Sequence, residues 1–123
     1  MSSRRLYALW LLSVLLVITG SLLPSSSPVM RAIGRLPVST KVLHLLAYAW
    51  LAFLSLLAFK RQSVAVPAAL AMILLGVTLE FGQKLVPGRG FEIRDMFING
   101  AGVLTGMAIG ILSRRAVLAV SSS

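Results

Sequence analysis

Four apolar runs constrain this chain more than any other feature: Leu6 to Leu23, Val42 to Phe59, Val64 to Gln83 and Met96 to Leu112. Each is about 17 to 20 residues long. At a rise of ~1.5 Å per residue, such a helix crosses most of a ~30 Å hydrocarbon layer. The runs predict an all-α polytopic membrane protein, a compact bundle of four transmembrane helices forming a single domain over residues 1–123. Composition agrees, because only 12% of the residues are charged, against ~25% in an ordinary soluble domain.

The formal net charge of +9 raises the question of nucleic acid. The basic residues stand at the ends of the apolar runs instead of forming one face, so membrane headgroups are the expected partner and nucleic acid is not. The chain has no cysteine, which excludes disulfides, a thiolate nucleophile and a thiolate metal site. Arg4 and Arg5 ahead of the first run, with Ser25 to Ser27 after it, loosely resemble a secretory signal. The apolar stretch is longer than a cleaved signal uses, so the first run is read as a retained helix.

Four crossings put both termini on one side of the membrane. Arg4, Arg5, Lys60, Arg61, Arg114 and Arg115 lie on that side, and Arg31, Arg35, Lys41, Lys84, Arg89 and Arg94 on the other, so the number of cations does not decide orientation. The first set forms three tight pairs abutting helix ends, and the first helix usually dominates, which favours cytoplasmic termini. The two longer loops, Pro24 to Lys41 and Lys84 to Asp95, then face outward. Pro24, Pro28 and Pro37 argue against regular structure in the first of them. Ser39 or Thr40 is positioned to cap the second helix and Asp95 the fourth, Pro67 falls in the first turn of the third, and PGRG at 87–90 reads as a turn.

The carboxylates are placed unevenly. All three, Glu80, Glu92 and Asp95, fall within the stretch EFGQKLVPGRGFEIRDMFINGAG at 80–102. Residues three or four apart share a helix face. On that rule the second run aligns His44, Tyr48 and Ser55, the third aligns Gly76, Glu80 and Gln83, and the fourth aligns Asp95, Asn99, Gly102, Gly106 and Gly110. An ionised group at a helix centre in lipid is penalised by ~2.5–3.5 kcal/mol on insertion scales, so these stripes are expected to converge on one sheltered polar cluster roofed by the two longer loops. Gly102, Gly106 and Gly110 make two overlapping G-x-x-x-G patterns for helix packing, either within the chain or at the seam of a homo-oligomer.

In order, K-x-x-H-x-x-x-Y (Lys41, His44, Tyr48), E-x-x-Q (Glu80, Gln83), P-x-R (Pro87, Arg89) and D-x-x-x-N-x-x-G-x-x-x-G (Asp95, Asn99, Gly102, Gly106) resemble the VanZ-like family of small membrane proteins. The resemblance spans Lys41 to Gly106. Thr40 stands where family members often have an acid. The resemblance implies a protein of the bacterial envelope, in a family associated with resistance to the glycopeptide teicoplanin.

Candidate chemistry follows from residue type. His44, the single histidine, suits acid/base work near neutrality, and Glu80 and Asp95 could form an acid and base pair with it, so these three are the catalytic candidates. Hydrogen bonding of His44 to Glu80 or Tyr48, and buried salt bridges at the two acids, would explain the same residues structurally. Lys41, Tyr48, Gln83, Arg89, Arg94 and Asn99 are the ligand-binding candidates. The guanidinium forks suit an anionic lipid-linked or cell-wall group, and ordinary headgroups or the neighbouring acids would occupy them equally well. No recognised metal spacing or phosphate-binding glycine loop occurs, and neither metal nor cofactor is expected. Two readings follow: an envelope protein that binds such a group, or a non-catalytic helical scaffold that oligomerises through its fourth helix.

Overall fold

The computed structural model describes residues 3–122, with side chains over 4–116. It contains five helices and no strand among these residues: α1 (Ser3–Leu22), α2 (Pro28–Gly34), α3 (Thr40–Ala58), α4 (Gln62–Gln83) and α5 (Ile93–Ser122). Four are long and apolar enough to cross a membrane, over Arg4–Leu22, Thr40–Ala58, Gln62–Gln83 and Ile93–Ala116. They run alternately up and down, as the side-chain ties show. Gln83 at the end of α4 reaches Ser21 at the end of α1, Lys41 at the start of α3 reaches Asp95 at the start of α5, and Arg114 reaches the far end of α3.

Three local expectations are corrected. The proline-rich connection after α1 contains a helix, because Ser27 caps α2 by accepting from the Met30 N–H at 3.3 Å and Pro28 occupies its first turn, where a missing N–H removes no bond. Asp95 does not cap α5: the helix begins at Ile93, and Asp95 is its third residue, its N–H donating to the Glu92 carbonyl at 3.1 Å. Pro67 lies inside α4, beyond its first turn, because that helix starts at Gln62. Ser39 is the cap of α3, accepting from the Val42 N–H at 3.3 Å, and Gly88 adopts φ +75° in the 87–90 turn.

α3 is the hub. Leu51, Ala52 and Leu56 on it are fully buried, packing with Ala65 and Ala69 of α4 and Val103 of α5. Lipid offers helices little hydrophobic reason to associate, so close approach of backbones has to supply the attraction. The glycines of α5 do this against α3 in the same chain. A Cβ on Gly102 would stand 2.5 Å from the Leu45 carbonyl oxygen, one on Gly106 would collide with the Ala49 carbonyl, and one on Gly110 would come within 2.6 Å of the Leu56 Cβ.

α1 is attached differently. Only 6% of its apolar window is buried, against 33–39% in the other three spans. Two reciprocal hydrogen bonds hold its first half to α3: Trp10 Nε1 donates to Ser55 Oγ at 2.8 Å, and Trp50 Nε1 donates to Ser13 Oγ at 3.1 Å. Phe59 meets the Tyr7 and Trp10 rings edge-on, with centroids 5.8 and 5.2 Å away. At the other end, Arg89 Nη1 donates to the carbonyls of Gly20 and Leu23 at 3.0 and 2.8 Å, and Gln83 Nε2 to that of Ser21 at 3.1 Å. Carbonyls that α1 leaves unbonded at its C-terminus thus receive a cation and an amide.

Candidate functional site

Between these two attachments, α1 stands off from α3 and α4 and leaves a cavity of about 560 Å³. It opens toward the end of the bundle that carries α2 and the 84–92 connection. Its walls differ in chemistry. Leu16, Val17, Leu43 and Ala47 form an apolar side continuous with the lipid-facing surface, and Met30 and Ile33 of α2 close it from above. These two are three residues apart and so share a face of α2, whereas Arg31 and Arg35 are exposed. His44, Tyr48, Glu80, Gln83, Asp95 and Asn99 supply the polar side, with Arg89 and Glu92 at the loop.

Most of the residues singled out from sequence therefore line one space. The geometry assigns them different tasks. Asp95 Oδ1 accepts from Lys41 Nζ at 3.2 Å, and the same ammonium donates to Glu92 Oε2 at 2.9 Å. Asp95 Oδ2 lies 3.8 Å from His44 Nδ1, too far for a hydrogen bond, and Nδ1 has no other partner. The expected bond from His44 to Glu80 or Tyr48 is absent. Glu80, 2% exposed, has no ion pair within 4 Å among the described residues. It accepts the Glu92 backbone N–H at 2.7 Å, which pins the loop to α4. Asn99, 3% exposed, lines the cavity, and its carbonyl oxygen is buried with no hydrogen-bond partner.

Gly76 explains how Asn99 comes to this position. A Cβ there would stand 3.1 Å from a Tyr48 ring carbon and 3.3 Å from Asn99 Nδ2, so a hydrogen at that position lets both side chains pack over α4.

Arg89 is partly withdrawn from water, which pulls its guanidinium below its ordinary pKa while the nearby Glu80 charge opposes that shift. Glu92 is held below the ordinary carboxylate value, first by its hydrogen bond from Lys41 and then by that ion's charge. Lys41 borders the cavity only through these acids, and Arg94 is exposed and does not line it. Gln83 and one arm of Arg89 are engaged by α1, which makes both of them positioning groups for that helix.

Sequence reading missed Glu92 as a member of the site, and missed Met30 and Ile33. The Ser27–Pro28 pair, a cap followed by proline at the first helical position, was the signal that could have found α2 and with it the roof. Arg114 was also missed. It donates to the carbonyls of Leu56, Phe59 and Lys60 at 2.6–2.8 Å, closing the C-terminus of α3. No group of three or more metal-ligating side chains converges among the described residues.

Fold and site together define a multi-pass membrane protein with an amphipathic cavity at one end of a four-span bundle. The chain belongs to the VanZ/LLP1 family, whose model matches residues 5–114. The match takes in the second and third spans whole, all but the ends of the first and fourth, and every cavity residue. Comparison with curated proteins and with solved structures gave no match.

Proposed function

We propose that this protein binds an amphiphile of the bacterial envelope, the anionic part of its headgroup at the mouth of the cavity and its chain along the gap between α1 and α3. The observation that carries this reading is the cavity itself, about 560 Å³ with one apolar wall and one polar wall. A lipid-linked molecule matches that division, since its tail can remain in hydrocarbon while its headgroup meets hydrogen-bonding groups. Arg89 lines the mouth, and Arg94 and Lys41 stand at the same end, where a phosphate or carboxylate attracts guanidinium and ammonium groups. His44, Asp95 and Glu80 are the groups able to hold or move a proton beside the bound headgroup. The orientation that fits has both termini in the cytoplasm of the inner membrane and the cavity facing outward, in one domain, and the family's association with teicoplanin resistance is the expected phenotype.

Gly20 offers the test. It lines the cavity, and a Cβ added there meets nothing within 4 Å. Gly20→Leu therefore adds a side chain at the cavity wall while keeping the backbone carbonyl that accepts from Arg89, and helix propensity favours leucine over glycine. Wild type extracted from membranes is expected to carry a bound anionic amphiphile by mass spectrometry, and the variant, at equal abundance, to lose it together with any protection against teicoplanin. Identical lipid content in the two proteins sinks the reading. Orientation is tested on the cysteine-free background: Ser26→Cys should react with an impermeant maleimide added to intact cells, and Ser63→Cys should not.

The alternative is a scaffold that oligomerises through α5. The glycine face such a seam needs is filled by α3 of the same chain, so an oligomer would have to use another face. Crosslinking between copies through cysteines placed at Leu104 or Leu112, both exposed on α5, would favour the scaffold.

A further inference from the structure

A ligand can reach the cavity over the α2 roof or sideways past α1. We infer that the half of the α1–α3 seam nearest α2 is a lateral portal, through which a long-chain anionic amphiphile slides from the adjoining leaflet into the cavity with its chain kept in hydrocarbon. This rests on the reading that the cavity holds an amphiphile.

One face of each helix builds the seam. On α1 it carries Ser13, Leu16, Val17 and Gly20, and on α3 Trp50, Ala47 and Leu43, each set at the three-or-four spacing of a shared face. The helices run antiparallel, and the Trp10–Ser55 and Trp50–Ser13 bonds fix their register, which brings Leu16 level with Ala47 and Gly20 level with Leu43. At the Ser13 end the seam is joined. From there toward α2, no side-chain hydrogen bond or ring contact links α1 to α3 among the described residues. A Cβ added to Gly20 meets nothing within 4 Å, and Leu16 lines the cavity while remaining 63% exposed. A side chain does both only where the cavity wall is open to the surroundings, which at this depth of the span are lipid.

The flank of α1 that faces α4 is shut. A Cβ on Gly82 would stand 3.2 Å from Leu22 Cδ2. Gln83 holds the Ser21 carbonyl, and Arg89 holds those of Gly20 and Leu23. Above them the Ser25 N–H donates to the Pro87 carbonyl at 3.3 Å, and a Cβ on Gly88 would collide with Ser25 Oγ. Sideways passage is therefore left to the α3 flank. Every CH₂ moved from hydrocarbon into water is penalised, so a long chain favours this slot over the roof.

The test uses the full chain in phosphatidylcholine vesicles, to which phosphatidic acid with a diazirine in its acyl chain is delivered by cyclodextrin. Tyr48 and Leu79 are buried, 4% and 6% exposed, yet line the cavity, so photolabel on them reports its occupation and not contact with bulk lipid. On the cysteine-free background, Leu16→Cys with Ala47→Cys is bridged across the slot by a short reducible bis-methanethiosulfonate. Leu22→Cys with Gly82→Cys, bridged across the shut flank, is the control. Bridging the slot before the lipid is delivered should lower labelling of Tyr48 and Leu79 to background, and reducing the linker should restore it, which excludes loss of fold as the cause. The control pair should label equally, bridged or reduced. Lipid loaded before the slot is bridged should stay through washing with unlabelled vesicles, a retention that crowding of the site by the linker does not produce. Undiminished labelling with the slot bridged, equal loss in the control pair, or expulsion of the preloaded lipid overturns the portal and leaves the proposed function standing. Absence of label on Tyr48 and Leu79 in the unbridged protein overturns both.

Discussion

The seam between α3 and α5 and the gap between α1 and α3 are two solutions to the same problem, holding helices together in a solvent that does not push them together. At the seam, Gly102 and Gly106 let the α5 backbone meet that of α3, and Gly110 lets it meet the Leu56 side chain. At the gap, aromatic N–H groups, a guanidinium and an amide span the distance, and about 560 Å³ remains open. Small residues produce a close contact, whereas long polar ties produce an open one. The two therefore tolerate change in opposite ways.

Reversing the roles of glycine in the two regions should give the largest effect. Gly106→Leu would drive a side chain into the Ala49 backbone, and overpacking of this kind destabilises by about 3 kcal/mol, enough to remove the folded protein from the membrane fraction. Gly20→Leu in the gap should leave abundance unchanged. Equal loss in both variants would break the comparison.

Next in size is Arg114→Ala. It strips three carbonyls at the end of α3 of a charged donor, and a hydrogen bond to a charged group contributes about 1.5–3 kcal/mol. The midpoint of denaturation in mixed micelles should fall accordingly, while lipid binding in the cavity at the opposite end persists. A loss of binding without a loss of stability would show that the two ends communicate.

A smaller change is expected from Trp10→Phe, which keeps the ring but removes the donor to Ser55. Single hydrogen bonds between membrane helices average about 0.6 kcal/mol. Since Ser55 keeps its own bond to the Leu51 carbonyl, destabilisation near that value is expected from the same measurement. A drop of several kcal/mol would mean that the gap is held as rigidly as the seam.

The smallest effect concerns pH. The Glu92 carboxyl is lowered from its ordinary value of 4.5, chiefly by the Lys41 hydrogen bond. A lowered carboxylate contributes stability above its unfolded-state pKa and loses it as pH falls through the folded-state value. Wild type should therefore weaken slightly more than Glu92→Gln below pH 4.5. Both groups of this pair are substantially exposed, so added salt should shrink the difference. Parallel pH curves would show that the pair does not tie the loop to α3.

Much of the fold was readable before any coordinates. The four runs were long and apolar enough to specify spanning helices, and the three-or-four spacing of His44 with Tyr48, Glu80 with Gln83, and Asp95 with Asn99 placed each pair on one face. The short helix α2 was not read, because its prolines were weighed as breakers when one of them sits where a helix begins. Arg89 and Gln83 were read as ligand groups because nothing local reveals that the carbonyls they serve belong to α1, 62 to 69 residues earlier in the chain. Arg94 and Arg89 look alike in sequence, yet one is exposed and the other lines the cavity.

By itself the sequence determined how many times the chain crosses a bilayer and which side chains must turn away from lipid, because hydrocarbon excludes charge and unsatisfied backbone whatever the neighbours are. Tertiary structure decided which cations were already engaged, which acceptors were left unpaired, and that a cavity exists at all. Those outcomes depend on distances between helices far apart in the chain, set by the size of side chains such as Gly76 and Gly106 at the places where helices meet.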